Sequence, residues 1–299
     1  MRVRREGNED LGAIHRREFI HRTGLGALAA LATPAAVASP GAGNAAASSK
    51  VAFNTANLVG RVTNYCYKLV NWMDQHNKTI AATDASAWRN ICREIAEAGF
   101  KAVEVWEAHA SPAALDQAKA AERRRELERF GLKPVAYAGR LSRETLQVCR
   151  WLEIPHVDGG LGNLNPGQAT ALCEEFGIGF NIENHPEKSA EEILKKIGGG
   201  NGWLGVCIDT GWLGTQGVSA PEVIKACSSF VRHTHIKDVK AAGTHETCLL
   251  GEGVVGIAEC FRILHSLHYT GFYSWEDEPE DRNPFDSAKR NLRWIEEHL

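Results

Sequence analysis

Four side chains able to bind a cation or move a proton, Glu183, Asp209, His235 and Glu276, each stand at the downstream end of a short apolar run. The runs read FNIENH, GVCIDTG, HTHIKD and FYSWEDE. Taken singly, each residue has an ordinary explanation: an ion-paired surface glutamate, an aspartate shaping a turn, a satisfied core histidine. Taken together, at the ends of four successive strands of one barrel, they would converge on a single mouth. Three carboxylates and one imidazole there suit a divalent cation, manganese before magnesium or cobalt, rather than a structural zinc. Such a cation grips neighbouring hydroxyl and carbonyl oxygens and favours the enediolate formed when the carbon between them loses its proton. Two carboxylates on opposite sides of the substrate can remove and return that proton.

The elements needed to position them are legible. From Val51 onward, apolar strand-like and periodic helix-like segments alternate without a break in composition, the pattern of repeated βα units and a parallel sheet. Eight strands are predicted: Val51 to Asn57, Ala102 to Trp106, Pro134 to Ala138, His156 to Gly159, Gly179 to Glu183, Gly205 to Asp209, His233 to Ile236 and Phe272 to Glu276. Helix starts are predicted at Ser111-Pro112, Asn165-Pro166, Ser189 to Glu192 and Ser219 to Glu222. Three stripes at helical spacing read as core: Trp88, Ile91, Cys92 and Ile95; Ala169, Leu172, Cys173 and Phe176; Ile257, Phe261, Leu264 and Leu267. Glu122 to Arg125 reads as a solvated helix face, and the segment from Tyr65 to Thr83 as an extended loop able to lid the mouth. The predicted fold is a single (β/α)8 barrel spanning residues 51–299.

The first 47 residues read as an address and a short linker. Arg16 and Arg17 precede Phe19 and Ile20, and an Ala-rich run from Leu25 ends in Ala36-Val37-Ala38, with a second small-residue site at Ala45 to Ala47. This segment resembles a twin-arginine signal peptide, cleaved after Ala38 or Ala47, and implies export of the folded protein to the periplasm or beyond. The run is short and broken by Pro34, so no stable membrane anchor is expected. The first 38 residues hold six Arg against four acids, so their removal takes the net charge from −3 to about −5. A mildly acidic protein is poorly suited to nucleic acid. The eight cysteines contain no C-x-x-C pair and read as small buried hydrophobes.

From Val51 onward the segments IENHPEK, CIDTGW, HTHIKDV, GEGVVG and GFYSWEDEPED, in that order, resemble the xylose isomerase-like TIM-barrel superfamily of sugar phosphate isomerases and epimerases. The resemblance implies a metal held by Glu183, Asp209, His235 and Glu276, with Glu183 and Glu276 doubling as the acid/base pair. Manganese is the first expectation, with magnesium, cobalt or zinc as alternatives. Two departures bear on the substrate: Trp212 stands where family epimerases often carry a histidine, and Lys237 and Lys240 stand where an arginine is frequent. Further expected substrate-binding residues are His185, Trp212, Lys237, His233, His109 and Trp106. Asn54, Glu104, Tyr137 and Arg140 stay unranked. The leading expectation is a metal-dependent isomerase or epimerase of a sugar or keto-sugar derivative. A dehydratase or lyase using the same site and a non-catalytic extracytoplasmic sugar- or metal-binding protein are the alternatives, and a homodimer is left open.

Overall fold

The computed structural model describes residues 50–299, and the twin-arginine reading lies outside the described residues. Eight parallel strands close into a barrel in chain order: β1 Val51–Asn54, β2 Ala102–Trp106, β3 Lys133–Ala138, β4 His156–Gly159, β5 Gly179–Glu183, β6 Leu204–Asp209, β7 Val231–Ile236 and β8 Tyr273–Trp275. The closing pair sets Ala52 against Ser274 and Phe53 against Trp275. Each run matches its predicted position to within a few residues. The main departure is at Thr55–Thr63, which winds into a 3-10 helix after Asn54 turns its side chain onto the Ala56 N–H.

Ten α-helices complete the described residues: α1 Trp72–Ala82, α2 Ala85–Glu97, α3 Gln117–Arg129, α4 Arg143–Leu152, α5 Pro166–Phe176, α6 Ala190–Lys196, α7 Thr210–Thr215, α8 Ala220–Ala226, α9 Ile257–Ser266 and α10 Phe285–Glu297. None is long and apolar enough to cross a membrane. Asn165 and Gln168 form a reciprocal capping box at α5, and Ser189 and Ser219 cap α6 and α8. Ser111-Pro112 starts no helix. It folds into a turn, and Asp116 caps α3 instead by accepting from the Lys119 N–H. The expected loop from Tyr65 to Thr83 is instead largely α1, whose buried positions, Gln75 and Thr79, are polar.

Period-two alternation divides the strands between two cores. Outward-facing Phe53 meets Phe100, Trp275 and Phe285 with ring centroids 5.2–5.5 Å apart, sealing barrel to helices. The stripe Trp88, Ile91, Cys92 and Ile95 is buried as expected, whereas Leu267, just past the end of α9, is 38% exposed. Arg123 also departs from a solvated face: it donates to the Thr83 and His109 carbonyls and lies over the Trp88 ring. Six of the eight cysteines are buried, all eight are free, and only Cys66 is exposed. Inside the barrel, small residues Ala52, Ala102 and Ala136 pack together. Nearer the C-terminal mouth the interior turns polar, with Asn54, Glu104, Asp158, Asn181 and His233 all buried. Polar groups in such a place are stabilising only when they satisfy one another.

Candidate active site at the barrel mouth

Glu183 ends β5, Asp209 ends β6, His235 lies on β7, and Glu276 follows β8 by one residue, tied there by its N–H donating to the Ile236 carbonyl at 3.1 Å. One donor atom from each lies within 4.8 Å of all the others, a spacing compatible with one shared cation.

Each member is fixed by local bonds. Asp209 doubles as the N-cap of α7, its Oδ1 accepting from the Trp212 N–H at 2.9 Å. Asn184 clamps the Asp209 backbone from both sides, at 2.8 and 3.0 Å. That leaves Asp209 Oδ2 facing the mouth, 3.4 Å from Lys237 Nζ and 3.9 Å from His185 Nε2. Asn54 donates to Glu276 Oε1 at 2.9 Å. Glu276 Oε2 is buried, 2.9 Å from Lys237 Nζ and 3.5 Å from His235 Nδ1, with no well-aimed hydrogen bond. A buried carboxylate oxygen met only by an ammonium group, among hard oxygen donors and a single imidazole nitrogen, fits a divalent cation.

His235 is held at both ring nitrogens. Nδ1 lies 2.8 Å from Glu183 Oε1, and Nε2 lies 2.9 Å from Glu104 Oε1. The second oxygen of Glu104 meets His233 Nε2 at 3.0 Å, and His233 also reaches Ser274 Oγ at 3.0 Å. The fully buried Glu104 therefore braces two imidazoles from one layer below the mouth. Such a carboxylate fixes the tautomer and direction of a metal-ligating histidine. Its only sequence signal is a charge inside AVEVW, an otherwise apolar strand.

The electrostatics differ across the quartet. Burial opposes the charge of Glu183, but His235 and His185 outweigh it and hold its carboxyl below the usual range. Asp209 is likewise lowered, burial being overcome by Lys237 and His185. Burial and the neighbouring Glu278 push Glu276 well up, against the pull of His235 and Lys237. These shifts belong to the site without a cation; a divalent ion shared by the quartet would hold both glutamates ionised.

The secondary candidates separate. His185, Trp212, Lys237 and Trp106 line the mouth with Glu183, His235 and Glu276. Trp212 lies between two imidazoles, 3.9 Å from His185 and 4.8 Å from His245, ring centre to centre. Lys237 pairs with Glu276 and, at 2.7 Å, with Glu278 rather than with Asp238. The Asp238 carboxylate is occupied by the N–H groups of Val239, Gly251, Gly253 and Val255 at 3.0–3.2 Å, which explains the GEGVVG segment. A side chain on Gly253 would strike that carboxylate and the Val239 carbonyl. Two expected substrate contacts are corrected. His233 shares a strand face with His235 but sits one layer deeper, with no exposure. His109 turns beneath the Glu107–His109 3-10 turn to line a separate cavity of about 430 Å3 beside Leu58 and Thr79, where burial pushes its imidazole down to about 3.

Residues 165–298 match the family model described as xylose isomerase-like TIM barrel. In sequence, 148 residues are 26% identical to inosose dehydratase 1 of Bacillus cereus, covering 42% of this chain and 50% of that protein. The chain thus spans about half the length of the curated relative it matches. In structure, D-allulose 3-epimerase from Methylomonas sp. in complex with D-allulose superposes with a TM-score of 0.58 at 14% identity, covering 84% of this chain and 97% of that one. The probable 3-DHS dehydratase of petrobactin synthesis from Bacillus anthracis superposes at 0.56 and 14% identity, covering 82% and 98%. The described chain has the TIM-barrel fold of these proteins, and all four members of its quartet fall inside the stretch that matches the xylose isomerase-like family.

Proposed function

We propose that the protein is a divalent-metal-dependent isomerase or epimerase of a sugar or keto-sugar derivative, working at the mouth formed by Glu183, Asp209, His235 and Glu276. The observation that carries this reading is the gathering of those four donors within 4.8 Å of one another. The epimerase likeness supports the sugar, and the donor set supports manganese ahead of magnesium, cobalt or zinc.

A bound divalent cation would supply polarisation of adjacent hydroxyl and carbonyl oxygens. The chain supplies the rest. Glu183 and Glu276, both ionised when they hold the cation, serve as the pair that removes the proton from carbon and returns one to it. Asn54 steadies Glu276 through its Oε1. Lys237 stands close enough to both Asp209 and Glu276 to offset negative charge developing between them. His185 and Trp212 form one wall for the reacting sugar. The Arg16-Arg17 segment supports export and, with it, a reaction outside the cytoplasm.

The test is a nuclear magnetic resonance screen of sugars and 3-keto-sugars in D2O with the manganese-loaded protein. Deuterium should enter at one carbon with product mass otherwise conserved, and Glu276→Gln should retain metal while losing exchange. No exchange with any sugar that binds would leave only a binding role. A second reading, a dehydratase on a related keto-sugar or inosose, is favoured by the inosose dehydratase similarity and predicts a product lighter by one water.

A further inference from the structure

Building on the sugar reading above, we propose that the mouth accepts a neutral glycoside rather than a lone monosaccharide. The reacting sugar would lie at the quartet, and a second flat ring, glycosidically attached, would rest against an apolar wall made by Leu69, Trp72, Met73 and Trp106.

Three independent observations point there. The mouth encloses about 1360 Å3, beyond the ~300–1,000 Å3 that holds a drug-sized ligand, and so has room for far more than one six-carbon ring. On the side of α1, the Trp72 and Trp106 rings line it with centroids 5.1 Å apart, tilted by 53°, and His76 abuts Trp106 at 5.4 Å. Beside them Val70 and Met73 are 89% and 63% exposed, two of the four large apolar side chains left open among the described residues. Of the two, Met73 lines the mouth, where it adds an exposed apolar side chain next to Trp72. Trp106 is itself buried, 5% exposed, and backs the half-buried Trp72, whose broad, rigid indole suits the C–H face of a pyranose or an aryl group.

The charge pattern argues against a phosphorylated substrate. Glu107, Glu144, Glu278 and Glu280 line the mouth in addition to the quartet. Of the lysines there, Lys196 is paired with Glu187, and Lys237 with Glu276 and Glu278. Arg140, at the exposed rim, is the one lining cation among the described residues without a carboxylate partner. A phosphate dianion would enter a field dominated by carboxylates.

The experiment is isothermal titration of the full chain, with Mn2+ present, using glucose, cellobiose, phenyl β-glucoside and glucose 6-phosphate as probes. Cellobiose or phenyl glucoside should bind at least tenfold more tightly than glucose, and glucose 6-phosphate no more tightly. Whichever is tighter tells a sugar ring from an aryl group at the wall. The ratio of glycoside to glucose affinity should collapse in Trp72→Ala and in Met73→Asp. The second change is at an exposed position and keeps the fold, which a thermal melt checks. Equal affinities, a ratio that survives both variants, a preference for the phosphate, or no glycoside binding overturns the proposal. Deuterium exchange run in parallel keeps the two readings apart. Exchange with sugars but no glycoside preference overturns this proposal alone, whereas glycoside preference without exchange overturns the isomerase.

Discussion

Replacing Glu104 should weaken metal binding although no atom of Glu104 belongs to the quartet. Its two oxygens lie 2.9 and 3.0 Å from the Nε2 atoms of His235 and His233, all three side chains being essentially inaccessible to solvent. With its oxygen toward His235, glutamine keeps one neutral hydrogen bond where a charge-assisted one, roughly twice as strong, had been. Leucine keeps neither, and His235 is then free to move its proton to Nδ1, the nitrogen that faces Glu183 and would ligate a cation. Loss of such an outer partner costs about 10–100-fold in metal affinity, so Glu104→Gln should sit near ~10-fold and Glu104→Leu near ~100-fold, or about 1.4 and 2.7 kcal/mol. Breaking the buried charge set also lowers stability, by on the order of 3 kcal/mol. Titration of Mn2+ into chelator-stripped protein reads the first effect, and urea unfolding of the metal-free protein reads the second separately. If both variants fold and bind Mn2+ within a factor of about three of the parent, by the same calorimetric criterion, the bracing role of Glu104 is wrong.

Other outcomes follow from the same geometry. Asp238→Ala strips an acceptor from four backbone N–H groups and should cost about 3 kcal/mol or more, read as a lower urea midpoint with unchanged cooperativity. His109, whose native pKa burial pushes down to about 3 from 6.5, binds its proton more readily in the unfolded chain. Stability should therefore fall as pH drops from about 6.5 toward 3, by on the order of 5 kcal/mol at most, and His109→Leu should flatten that part of the profile. Chelation should lower the melting temperature of the loaded protein by about 5–10 °C, the shift expected when free metal exceeds its dissociation constant about a hundredfold. Added Mn2+ should restore it.

The strands were legible because a barrel strand buried on both faces reads as a short apolar run whatever its partners. The quartet was legible because its members interrupt those runs at their downstream ends. Helix α1 was not, since its buried side, Gln75 and Thr79, is polar and leaves no apolar period to detect. The α3 start was misplaced because Ser111-Pro112 and Asp116 are both good cap signals, and only tertiary packing chooses between them. His233 and His235 look equivalent in sequence, two residues apart on one face, yet the barrel stacks them in different layers. Glu104 is a single letter in an apolar strand, and its meaning depends on two histidines about 130 residues away. The wall at Trp72 and Met73 emerges only once α1 is seen to border the mouth.

The most direct measurement is the metal content of the purified protein, by mass spectrometry, beside an Asp209→Asn, Glu276→Gln double variant shown to be folded. Close to one divalent ion per chain in the parent and a large loss in the variant is the expected result. A parent that retains no divalent ion and takes none up from added Mn2+, or a variant that holds as much as the parent, would contradict the shared-cation site.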